Sequence, residues 1–62
     1  STYDNSGMSL QDREMAGFSL AIYYVKKHNR KEAKEILNEM IVKFADDDEF
    51  TATCREVLKM LD

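Results

Sequence analysis

The side chains able to do chemistry in these 62 residues are few and scattered. His28 is the sole histidine, so no second imidazole exists for a metal site or a proton relay. Cys54 is the sole cysteine; it cannot form an internal disulfide and supplies one soft ligand at most. It falls on an apolar stripe, which suits a buried thiol. A reactive thiolate needs nearby cations or a helix N-terminus, and Arg55, though adjacent, points away from that stripe. Asp46-Asp47-Asp48-Glu49 is the one dense run of oxygen ligands. A calcium loop needs alternating ligands, a turn glycine and a terminal Glu, and the run lacks that spacing. It reads as a helix cap with solvated charge. No phosphate-cradling glycine loop occurs, nor HExxH, CxxC or GxSxG. The chain is expected to be no enzyme and to carry no metal or other cofactor.

Charge is more informative. Lys26, Lys27, Arg30, Lys31 and Lys34, with Glu32, give +4 over residues 26–34, whereas residues 35–62 carry −5 and the whole chain −3. The basic corner could hold phosphate or an acidic peptide, and Lys27, Arg30 and Lys31 are its candidate anion contacts. No aromatic or polar reading face accompanies it, which argues against nucleic acid. The charge asymmetry could instead orient docking or self-association.

These residues need elements to position them, and composition selects helices. The chain has no proline and two glycines, too little punctuation for the many turns of an all-β domain. The length allows one small domain, 9–62, after a polar segment, 1–8, expected to be a disordered tail or a trimming remnant. No apolar run approaches the roughly 20 residues of a membrane span, and the expected location is the cytoplasm.

Three helices are predicted, over about 9–28, 30–44 and 47–61. Ser9 stands three residues before Asp12, a capping arrangement. Met15, Phe18, Ile22 and Val25 form one apolar line, and Ala16, Leu20, Tyr23 and Tyr24 a second, so the first helix is expected to lie between neighbours. Asn29 is a candidate for its left-handed cap. The second helix has the cleanest period: Ala33, Ile36, Leu37, Met40, Ile41 and Phe44. The very short connection makes the first two helices antiparallel neighbours. Asp46, Asp47 or Asp48 caps the third, whose stripe is Phe50, Cys54, Val57, Leu58 and Leu61.

Residues 20–48 resemble a tetratricopeptide repeat, a helix–turn–helix unit of about 34 residues. Leu20-Ala21, Tyr24, Glu32-Ala33 and Leu37 match the repeat's spacing, and Asp46 its closing acid. Ala45 replaces the closing proline, Gly17 stands where an early large residue is usual, and Met40 where a late small one is. Arg55 likewise replaces a small residue in what would be the next repeat. Gly17 either admits a close helix neighbour or is a surface glycine costing about 1 kcal/mol relative to Ala. The resemblance implies stacking of helix pairs, because one pair cannot bury both its faces.

The expected fold is therefore all-α: a three-helix bundle made of an antiparallel hairpin and a third helix, with tetratricopeptide-like geometry. Apolar residues are left over. Tyr23, Tyr24, Val42 and Met60 cannot all lie on core stripes and are candidate partner contacts. The expected function is a non-catalytic protein–protein interaction module, such as an adaptor, co-chaperone or assembly subunit, that binds a partner helix or peptide or a second copy. The alternative is a small nucleic-acid-binding or transcription-regulating domain using the basic corner 26–34.

Overall fold

A computed structural model describes residues 7–62. They form three helices, α1 (Leu10–Lys26), α2 (Arg30–Lys43) and α3 (Asp48–Leu61), with no strand among the described residues. The fold is all-α. The tail expected over 1–8 falls, for residues 1–6, outside the described residues.

Each helix begins on a side-chain cap. Ser9 Oγ accepts from the Asp12 amide at 3.1 Å, and the Asp12 carboxylate accepts from the Ser9 amide at 3.5 Å, closing a capping box. Asn29 Oδ1 accepts from the Glu32 amide at 3.2 Å to start α2. Asp47, among the three candidates in the acidic run, starts α3 by accepting from the Phe50 amide at 3.1 Å. These oxygens satisfy amides that a helix start leaves without partners.

The α1–α2 corner differs from expectation in one residue. His28, not Asn29, takes the left-handed conformation, with φ 61°. The His28 amide donates to Val25 O at 3.0 Å and the Asn29 amide to Tyr24 O at 2.9 Å. That pair of bonds is a Schellman closure, and it needs a left-handed residue one position before Asn29. Asn29 is already committed as the cap of α2.

The helices pack antiparallel, with α2 in the middle. Gly17 meets Met40 and Arg13 meets Phe44, a reversed register between α1 and α2. Phe44 stacks edge-on against Phe50, and Lys34 pairs with Asp62, the same reversal between α2 and α3. Helices α1 and α3 meet chiefly at the Phe18 and Phe50 rings, 6.2 Å apart. The Cα trace spans 38 × 24 × 13 Å, a thin slab.

The core follows the second-helix stripe: Ala33, Ile36, Leu37, Met40 and Phe44 are buried, joined by Ala21, Cys54 and Leu61. On α1 the buried face is not the predicted Met15–Val25 line. Met15 is exposed, while Phe18, Ile22 and Val25 are half-buried. The face turned inward carries Glu14, Gly17 and Ala21. Small residues win there because they let α2 approach: a Cβ on Gly17 would overlap the Met40 sulfur and lie 3.0 Å from its Cε. The close-neighbour role of Gly17 is the one observed.

Candidate functional site

The residues singled out from the sequence fall into separate places. Tyr23, on the outer side of α1, is 52% exposed. It stacks edge-on against Tyr24 with ring centroids 5.2 Å apart, and the Lys27 ammonium sits 5.7 Å from its ring. Tyr24 is half-buried and packs on the core, so its contact is with its own chain. Val42 is 78% exposed at the end of α2. Met60 is 75% exposed on α3. No cleft holds all four. Tyr23 lines a shallow groove with Phe18, Ile22 and Lys26. Val42 lines a different cleft, at the end of α2 away from the α1–α2 corner. Met15 and Leu20 are also exposed and extend the apolar surface of α1; Met15 was concealed in the sequence by its place on an apolar line that reads as core.

The basic corner is open. Lys26, Lys27, Arg30 and Lys31 are all exposed, and none of them is in an ion pair among the described residues. Lys34 lies at its edge, 2.7 Å from the Asp62 carboxylate. That pair is partly exposed and contributes about 0–1 kcal/mol.

The largest departure from the sequence reading is at the opposite end. A cleft of about 710 Å³ opens between the start of α1 and the α2–α3 turn. Leu10, Arg13 and Glu14 line it from α1, Val42 and Lys43 from α2, and Phe44 to Glu49 from the turn and the start of α3. Glu14 is 5% exposed, and its Oε2 has no hydrogen-bond partner among the described residues. A buried carboxylate without a cation favours its neutral form. Burial is the first cause that raises the Glu14 acid above its usual 4.5; the hydrogen bond and the charge of Asp47 add to it, and Arg13 opposes them. Asp47 moves the other way, lowered first by the hydrogen bond with Glu14 and then by the Phe50 amide it caps. Each carboxyl thus pushes the other's titration, Glu14 up and Asp47 down. Sequence inspection passed over Glu14 because a charged residue beside Arg13 reads as surface. Only its place seven residues before Ala21, two helical turns along the same face, hints otherwise.

The rest of the chemistry is quiet. Cys54 is fully buried, and burial pushes its thiol up, with the Glu14 charge adding and Arg55 opposing. A raised thiol is a poor nucleophile. Among the described residues no three His, Cys, Asp or Glu side chains are grouped as a metal ion would need, and no helix is long and apolar enough to cross a membrane. Comparison with protein-family models, with curated proteins and with solved structures finds no match to this chain.

Proposed function

We propose that this chain is a non-catalytic protein–protein interaction module. The observation that carries this reading is the uncovered apolar surface: Met15, Leu20, Tyr23, Val42 and Met60 are all exposed on a slab whose middle helix alone has neighbours on two sides. Aromatic and methionine side chains are enriched at protein contacts, and exposed apolar patches mark such surfaces. The stacking habit of tetratricopeptide-like helix pairs supports it, and so does one contact. Gly17 and Met40 are the two positions whose sizes are inverted relative to that repeat, and they touch each other. A large residue has replaced a small one directly opposite the reverse exchange, which keeps the helix spacing.

Photo-crosslinking tests the reading. A benzophenone side chain placed at Tyr23 or Met60, in cell extract, should give a discrete adduct with one protein or with a second copy. The same group at exposed Glu35 should not. Equal, diffuse labelling at all three positions would overturn the proposal.

The open basic corner favours a second reading, nucleic-acid binding through Lys27, Arg30 and Lys31. Filter binding at about 50 mM salt decides it, because phosphate-driven affinity is greatest when salt is low. Retention of RNA or DNA there, lost in Lys27→Glu/Arg30→Glu, supports that reading, and no retention removes it.

A further inference from the structure

We propose that the cleft between the start of α1 and the α2–α3 turn is a socket for one cationic side chain, an arginine guanidinium or a lysine ammonium, presented by a basic segment of a partner protein. The proposal rests on the protein-interaction reading above and assigns the chemistry of one contact.

Two independent observations carry it. The first is charge: Asp46, Asp47, Asp48 and Glu49 surround the mouth. The second is the buried Glu14 carboxyl that also lines it, with one oxygen lacking a hydrogen-bond partner among the described residues. A buried carboxyl oxygen without a donor is a standing free-energy cost, and an N–H donor bearing positive charge is the group that relieves it most. The chain's own cations do not fill the role. The Arg13 guanidinium lies over the Phe44 ring, 5.7 Å from its centroid, and the Lys43 ammonium lies 5.9 Å from the same centroid. Neither forms an ion pair among the described residues.

The lining also suits the stem of such a side chain. Leu10 and Val42 are exposed and apolar at the rim. Long basic side chains lay their methylenes on surfaces of this kind while the charged head goes deeper. A metal ion fits less well, since no three ligands are grouped among the described residues. The net charge of −3 favours a basic partner over a second copy.

Burial favours the neutral Glu14 acid, and a bound cation favours its charged form instead. Binding therefore releases a proton, and affinity rises as pH rises through the titration of Glu14. Arg13 on α1, Lys43 on α2, Asp46 and Asp47 in the turn, and Asp48, Glu49 and Cys54 on α3 are the other titratable or charged groups about that carboxyl or its cleft.

The test uses a capped nonapeptide with one arginine among alanines and leucines, and its citrulline counterpart, which keeps the shape without the charge. By calorimetry the arginine peptide should bind, with the citrulline peptide weaker by about tenfold or more. Glu14→Gln and Asp47→Asn should each lose about tenfold; Asn still caps α3, and circular dichroism confirms that both variants are folded. Affinity should climb with pH in the wild type and stay flat in Glu14→Gln. Equal binding of the two peptides, no binding, or unchanged affinity in folded Glu14→Gln overturns the proposal. So does calcium that raises the melting temperature of the wild type but not of Glu14→Gln, which gives the cleft to a metal ion. A dimer dissolved by Glu14→Gln gives it to a second copy and overturns it equally. The crosslinking positions Tyr23 and Met60 lie outside this cleft, so a failure of the socket is told apart from a failure of the interaction reading.

Discussion

At the scale of single residues, Glu14 is held against its ordinary protonation preference and His28 against its ordinary backbone preference. Glu14 is raised above 4.5, so its contribution to stability is fully present below that value and is lost as pH rises through its folded value. Asp47 is lowered below 3.8, so its contribution is present above 3.8 and is lost as pH falls through its own folded value. Between these limits the pair is at its best. Glu14→Gln keeps a donor for Asp47 without the charge. It should raise the melting temperature at neutral pH and remove the decline expected of the wild type as pH rises through the folded-state titration of Glu14. A variant whose stability follows pH in parallel with the wild type would refute the raised, buried acid. His28 holds φ 61° where glycine is favoured. Its side chain is exposed, so His28→Gly loses no packing and should stabilise by about 0.5–1 kcal/mol in urea unfolding. Destabilisation would mean that the imidazole makes a contact of its own.

At the scale of the helices, the α1–α2 seam is a matter of matched size. Gly17→Leu drives a side chain into Met40 and should cost about 1–3 kcal/mol. Adding Met40→Ala reopens the space, and the double variant should recover much of that loss, read as a favourable coupling in a double-mutant cycle. Additive losses would show that the two residues do not share the space. This seam marks where sequence reading reached its limit. Helix existence, the Ser9 cap and the α2 stripe were legible because each depends on residues within a turn or two. The inward face of α1 was not. Two apolar lines competed, and the face that won carries a glycine, an alanine and a glutamate, which together make no large apolar stripe. Pairing Gly17 with Met40 required knowing both helices at once. The pairing of Glu14 with Asp47 lies beyond periodicity altogether, because it joins the first helix to the third helix's cap.

At the scale of the molecule, α2 has neighbours on both sides, whereas α1 and α3 each lean on it and barely on one another. Core burial follows suit, with five of its side chains coming from α2 and its C-cap. Hydrogen exchange should show α2 amides as the best protected, and α3 amides opening at lower free energy. Uniform protection across the three helices would show a single cooperative unit instead. In a slab 13 Å thick at the Cα trace, Leu37 and Cys54 are the largest side chains wholly out of water among the described residues. Few positions are therefore intolerant of change. A library of random substitutions should find a narrow seam through Ala21, Ala33, Leu37 and Cys54 where almost nothing is accepted, flanked by broad faces where almost anything is. On those faces residues answer to little inside the molecule, so the surface can be rewritten without rebuilding the fold.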